Sequence, residues 1–208
     1  MDGNGGSHYF DHDQSVPVDE RTYEIEGPDG PLVIVSGAGV FSHGSLDKAT
    51  ALLLEVIRTL PEPPPGDILD LGCGAGPVAV LLAARFPSRT VRAVDSNARA
   101  VELCARSAAR NGLGNIVASL PGEVPDGTRF SLVCSNPPIR VGKTELHRIL
   151  AHWLGMLTHD GTARMVVGRN LGADSLQEWL TANGWPTERT GSSKGFRLLR
   201  SVVRAAGG

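Results

Sequence analysis

The chain has 208 residues, of which 41% are hydrophobic and 20% charged, enough to bury the core of one ordinary globular domain. Its formal net charge of -2 excludes the strongly basic composition of a protein that holds nucleic acid by bulk charge. Three cysteines, Cys73, Cys104 and Cys134, are odd in number and have no Cys-x-x-Cys spacing, which argues against a disulfide framework and a structural zinc site and for a reducing, cytoplasmic compartment.

The start, MDGNGGSHYFDHD, has neither the basic beginning nor the apolar stretch of a signal peptide, and no apolar run approaches membrane-spanning length. No membrane association and no metal are expected, since His8 and His12 stand in a Gly-rich, acidic stretch as an exposed pair. Charge is unevenly placed. Residues 1–30 carry eight acids (Asp2, Asp11, Asp13, Asp19, Glu20, Glu24, Glu26, Asp29) against Arg21, whereas 185–208 carry Arg189, Lys194, Arg197, Arg200 and Arg204 against Glu188. A polyanionic partner near the C-terminal end is one implication; a solvated face is the plainer one.

After a flexible start over residues 1–15, VPVDERTYEIEGPDGPLVIVSGAGVFS reads as short strands broken by Gly-Pro and Asp-Gly turns. Ser45 caps a predicted helix running to about Leu60, where PEPPPG stops it. The expected division is an N-terminal extension with a lid helix over 1–60 and a core over 61–208. From Asp67 apolar strands alternate with helices: DILDLG, AGPVAVLLAARF, TVRAVD, ARAVELCARSAARNGL, NIVASL, RFSLVCSN, TELHRILAHWLGML and TARMVVG. Such alternation predicts an α/β fold, a parallel sheet with helices on both faces. ADSLQEWLTANG adds a helix, and WPTERTG and FRLLRSVVRA, with no helix between them, should pair antiparallel.

Two stretches carry chemistry. Asp70-Leu71-Gly72-Cys73-Gly74-Ala75-Gly76 ends the first core strand, where open α/β sheets bind ligands at the carboxyl edge and glycine lets a ligand approach the backbone. Asp95, nineteen positions after Gly76 and followed by Ser96, ends the second strand, placed for ribose hydroxyls. Asp70 would repel a pyrophosphate and attract a cation, which favours S-adenosylmethionine, with its sulfonium and amino groups, over a dinucleotide. The second stretch is Asn136-Pro137-Pro138, at the end of the fourth core strand and expected beside the first. The prolines lack N–H groups, so nearby carbonyls are held in set directions, and with the Asn136 side-chain oxygen they form two acceptors for a planar NH2 group. A helix-start turn explains one proline, but not the Asn and the pair.

The combination resembles the Rossmann-like class I S-adenosylmethionine-dependent methyltransferases that act on exocyclic or amide nitrogens. HYF, GAGVFSHGSLDKAT, NPPIRVGK with ELHRIL, LGADSL and KGFRLLRS are together similar to the small-subunit ribosomal RNA guanine-N2 methyltransferase family, especially its short, single-domain branch. The resemblance implies a seven-stranded, mostly parallel sheet with the last strand antiparallel. It assigns Asp70, Gly72, Cys73, Gly74, Gly76, Asp95, Ser96 and Asn136 to the cofactor, and the amine-holding role to Asn136, Pro137 and Pro138. Two positions depart from the family pattern: Leu120 replaces an Asp or Asn that meets the adenine amine, and Ile139 replaces an aromatic residue that stacks on the base.

Phe41 could supply the missing aromatic face, a place in the core being its plainer role; Arg140 and Lys143 could meet a substrate phosphate or carboxylate or be simply solvated, and Lys194 belongs to the basic segment that would hold an RNA backbone. His147 is not needed as a base, because the amine loses its proton readily once methylated. The expected partner is ribosomal RNA or the small ribosomal subunit. A protein glutamine amide or small-molecule amine is the alternative acceptor, and an RNA chaperone or assembly factor the non-catalytic alternative.

Overall fold

The computed structural model describes residues 20–40, 45–138 and 141–203. Strands β1 (Glu20–Glu26) and β2 (Pro31–Gly37) form an antiparallel hairpin, its turn closed by the Gly27 N–H donating to the Gly30 carbonyl at 3.0 Å. Helix α1 (Lys48–Arg58) follows. Its cap is Asp47 and not the expected Ser45: the Asp47 Oδ1 accepts the Ala49 N–H at 2.9 Å and the Thr50 N–H at 3.0 Å. Ser45 stands two residues too early to reach these amides, and Asp is as strong a cap as Ser.

Seven strands form the main sheet: β3 (Asp67–Leu71), β4 (Val91–Val94), β5 (Ile116–Ser119), β6 (Phe130–Ser135), β7 (Leu157–Gly168), β8 (Thr187–Ser193) and β9 (Phe196–Val202). Their spatial order is β5-β4-β3-β6-β7-β9-β8. The first five are mutually parallel and β9 runs antiparallel to both β7 and β8, so the expected mostly parallel sheet with an antiparallel last strand is what forms.

Helices α2 (Pro77–Arg85), α3 (Ala98–Arg110), α4 (Lys143–Leu154) and α5 (Ala173–Ala182) complete the layers. Because strand side chains alternate, Ile68 packs in one hydrophobic cluster with α1, α2 and α3, while its neighbour Leu69 packs in the other with α4 and α5. Ile25, Ile34 and Val35 of the hairpin belong to the first cluster, so residues on both sides of the prolyl segment share one core. Helix α2 is buried from Pro77 through Ala83, against α1, α3, β2, β3 and β4, which is why it is apolar all round.

Two polar side chains from α3 and its end hydrogen-bond the backbone of β2. Asn111 accepts the Val33 N–H at 2.8 Å and donates to the Val33 carbonyl at 2.7 Å, standing in for a neighbouring strand. Ser107 accepts the Val35 N–H at 2.9 Å and donates to the Ala75 carbonyl at 2.9 Å, joining hairpin to glycine-rich turn. The prolyl segment is held by Arg89, whose guanidinium donates to the carbonyls of Pro63, Pro64 and Gly66. The consequence for function lies at β3, which has β4 on one side and β6 on the other. The chain runs outward from β3 through β4 to β5 and then crosses back to β6 on the other side, and the carboxyl end of such a reversal is where open α/β sheets form their ligand crevice.

Candidate active site

The β3–α2 turn is built on left-handed backbone. Gly72, Gly74 and Gly76 have φ of 77°, 54° and 88°. Gly76 is required by packing as well, since a Cβ there would lie 2.6 Å from the Cys104 Sγ and 3.2 Å from the Cys104 Cα. Over Gly72 nothing lies within 4 Å of a built Cβ, and the residue is exposed, so its backbone is open to a ligand. The N–H groups of Gly72 and Cys73 both donate to the Val94 carbonyl, at 2.8 and 3.1 Å. Asp95 sits directly across: its Oδ2 accepts the Gly74 N–H at 2.9 Å and its Oδ1 the Asn97 N–H at 2.9 Å. Ser96 beside it is exposed.

Asp70 and Cys73 face inward. The Asp70 carboxylate is 2% exposed, and its Oδ2 accepts the Ala79 N–H at 2.9 Å, satisfying a first-turn amide of α2 that the cap residue Gly76 has no side chain to meet. Burial pushes the Asp70 carboxyl up to about 8, against the Ala79 hydrogen bond and with the Asp95 charge adding to it. The Cys73 thiol is raised by its hydrogen bond to Cys104 and by burial, and the residue's backbone is taken up within the turn, its N–H by the Val94 carbonyl and its carbonyl by the Gly76 N–H at 2.9 Å.

On the other side of β3, Leu71 pairs with Ser135 at the end of β6, and the Ser135 hydroxyl donates to the Leu71 carbonyl at 2.8 Å. Asn136 is thereby set beside the glycine-rich turn, as expected. Its side-chain Nδ2 donates to the Asp47 Oδ1 at 3.4 Å and to the Thr50 Oγ1 at 3.2 Å. Tyr23 of β1 belongs to the same cluster, its phenol pushed up to about 12 by burial and then by the Asp47 carboxylate. Pro137 is buried and Pro138 exposed. The prolines do not free every carbonyl, because the Pro138 oxygen accepts the Val141 N–H at 3.1 Å.

Phe41, Ile139 and Arg140 lie outside the described residues. Lys143 is exposed at the first position of α4 and borders a cavity of about 350 Å³ lined also by Leu146, His147, Asn170, Leu171 and Ser175. His147 stacks on Trp179 with ring centroids 3.8 Å apart, and burial with the Lys143 charge lowers its pKa, in keeping with a packed rather than a proton-transferring imidazole. Lys194 is exposed at the tip of the β8–β9 hairpin with φ of 50°, where the Arg169 N–H reaches the neighbouring Gly195 carbonyl at 2.8 Å. Of the basic C-terminal segment, Arg197 approaches Asp174 at 3.7 Å and Arg200 pairs with Glu188 at 3.0 Å. At the end of β5 the Leu120 N–H donates to the Glu123 Oε2 at 2.8 Å, which brings a carboxylate to the strand end whose own residue has none.

The sequence alone does not single out Asp47, Thr50 and Glu123, although the first two lie within the stretch GAGVFSHGSLDKAT. The signal for the first pair is their one-turn spacing at the head of α1, where both must face the same neighbour.

Residues 31–200 match the family described as methyltransferase small domain. The chain belongs to that family. It is 32% identical over 197 residues to the uncharacterized protein YbxB of Bacillus subtilis, covering 93% of this chain and 97% of that one. It is 36% identical over 195 residues to the ribosomal RNA small subunit methyltransferase C of Pseudomonas entomophila, covering 91% of this chain and 57% of the relative. Among solved structures, the T. thermophilus 16S rRNA N2 methyltransferase in complex with AdoMet and guanosine superposes with a TM-score of 0.78 at 23% identity, over 90% of this chain and 52% of that one. The methyltransferase thus spans little more than half of the named ribosomal RNA enzymes it matches, and the likeness to the solved structure is one of fold.

Proposed function

We propose that this methyltransferase uses S-adenosylmethionine to methylate the exocyclic N2 amine of a guanine in small-subunit ribosomal RNA, leaving S-adenosylhomocysteine. The crevice suits that cofactor. Gly72 offers unobstructed backbone, Asp95 and Ser96 offer partners for ribose hydroxyls, and the half-buried Asp95 side chain disfavours a phosphate there, while the inward-facing Asp70 braces the turn through the Ala79 amide. When bound there, the cofactor supplies a methyl group on a positively charged sulfur. Carbon–nitrogen bond formation breaks the carbon–sulfur bond, and the methylated amine releases one proton to solvent.

The observation that carries the reading is Asn136, placed by the β3–β6 register at the mouth of the crevice with two prolines behind it. Its Oδ1 and an adjacent carbonyl can accept the two N–H bonds of a planar amine and so fix its lone pair toward the methyl group. The ribosomal RNA acceptor is supported by the Pseudomonas relatives named for that activity. Asn136→Ala should lower turnover at least ~100-fold while leaving cofactor affinity within a factor of about two, because only orientation of the acceptor is lost. Methyl label followed from cofactor into purified small subunits, alongside calorimetric titration of the cofactor, checks this. Equal loss of both quantities defeats the role given to Asn136, and label that reaches protein instead of RNA defeats the acceptor.

A further inference from the structure

Asn136 cannot orient an acceptor unless something orients Asn136. Its amide carries two N–H donors on one atom and an acceptor on the other, and a half-turn about its last bond exchanges them. Both donors point at α1: the Nδ2 lies 3.4 Å from the Asp47 Oδ1 and 3.2 Å from the Thr50 Oγ1. The reversed amide would set its oxygen against the Asp47 carboxylate oxygen with no proton between them, so chemistry permits one orientation. In that orientation Oδ1 is the amide's remaining polar atom and is turned away from α1.

The two partners are themselves fixed. Asp47 is the cap of α1, its Oδ1 held by the Ala49 and Thr50 amides, and Thr50 is 7% exposed in the first turn behind it. The helix in turn is seated by Leu53, Leu54 and Ile57, all fully buried. A carboxylate that serves only as a cap needs nothing from β6; this one reaches a side chain 89 positions further along the chain.

We propose that Asp47 and Thr50 are positioning residues for methyl transfer, which lock the Asn136 amide so that its oxygen faces the acceptor amine. The inference rests on the role given to Asn136 above. It makes the first turn of α1 part of the transfer machinery, acting through Asn136.

Two substitutions separate this from a structural role. Thr50→Val keeps shape and burial but removes the oxygen, and Asp47→Ser keeps a cap on α1 but is too short to reach Asn136. Each should leave cofactor affinity, KM and melting temperature near those of the wild type and lower kcat, by about tenfold singly and about 100-fold together, the scale set by misplacing a reacting group by a fraction of an ångström to one ångström. Thr50→Ser, which restores the hydroxyl, should recover most of the loss.

A readout independent of turnover is the side-chain NH2 signal of Asn136 in a ¹⁵N spectrum, identified by its absence from Asn136→Ala. It should shift and exchange faster with water in Thr50→Val and Asp47→Ser. The proposal is overturned if that signal is unmoved, or if kcat is unchanged in both variants while Asn136→Ala abolishes transfer. If Asn136→Ala itself leaves turnover intact, the role given to Asn136 falls, and the NH2 signal still reports whether Asp47 and Thr50 hold the amide.

Discussion

At the scale of single residues, Asp70 shows what it costs to bury an acid beside the glycine-rich turn. The carboxyl is buried, accepts a hydrogen bond from the Ala79 N–H, and is pushed from its ordinary 3.8 up to about 8, chiefly by loss of water. A raised folded pKa means that the folded protein holds the proton more tightly than the unfolded chain. The associated stability is fully present below about 3.8, declines as pH rises, and is lost above about 8. Asp70→Asn keeps an oxygen for the Ala79 amide and removes the ionisation. In cofactor-free protein the variant should therefore melt progressively higher than the wild type as pH is raised from 5 toward 8, each pH unit being worth up to ~1.4 kcal/mol. Parallel melting curves across that range would rule out Asp70 as the source. The presence of an acid before the glycines was legible in the sequence, but its charge state was not, because burial holds the proton on the carboxyl up to about pH 8. Its inward direction was not, since that depends on α2 having a glycine where a side-chain cap would otherwise sit.

At the scale of elements, strands and helices of the core were legible because burial on both faces leaves continuous β-branched runs and the helices keep their own period. The placement of the N-terminal hairpin was not legible. Tyr-Glu-Ile-Glu and Leu-Val-Ile-Val identify two strands, but nothing in them says that β2 will lie against α3. One contribution to that choice comes from Asn111, one residue past the end of α3, whose amide reads as a helix-ending residue in sequence and acts as a strand neighbour in space. Asn111→Ala would leave the N–H and carbonyl of Val33 without this partner in a half-buried position, at about 1–3 kcal/mol. Hydrogen exchange should report the loss locally: the Val33 amide should exchange at least tenfold faster, while amides of β3 and β6 change only as global stability does. Uniform acceleration across both sheets would show that the hairpin has no separate docking energy. The cap of α1 is also displaced from the expected residue. Ser45 and Asp47 are both good caps by residue type, and Asp47 is the one within reach of the Ala49 and Thr50 amides, with a further contact to Asn136 just past the end of β6.

At the scale of the whole molecule, the order of the parallel strands explains why the groups proposed to hold cofactor and acceptor sit on one edge although they are spread over much of the chain. The glycine-rich turn, Asp95 and Asn136 follow β3, β4 and β6, three neighbours whose carboxyl ends share a side. The same edge gathers cations that the net charge of -2 conceals. Lys143 starts the helix after β6, Arg169 follows β7, and Lys194 caps the hairpin that returns beside it; all three are exposed. Arg197 and Arg200, which composition placed in the same group, face Asp174 and Glu188 instead, so position along the edge, and not membership of the basic segment, decides which cations are offered to a phosphate. If the acceptor is ribosomal RNA, binding should weaken with salt, each neutralised phosphate contributing a slope of about -0.7 to -0.9 in log affinity against log salt. Replacing Lys143, Arg169 and Lys194 together by Ala should flatten that slope by about two to three, measured by fluorescence anisotropy on small-subunit RNA between about 50 and 200 mM salt. Replacing Arg197 and Arg200 should flatten it less, because each already has a carboxylate partner. The opposite ranking would place the RNA on the outer face of the antiparallel strands and away from Asn136, and with it would fall the assignment of this edge to the acceptor.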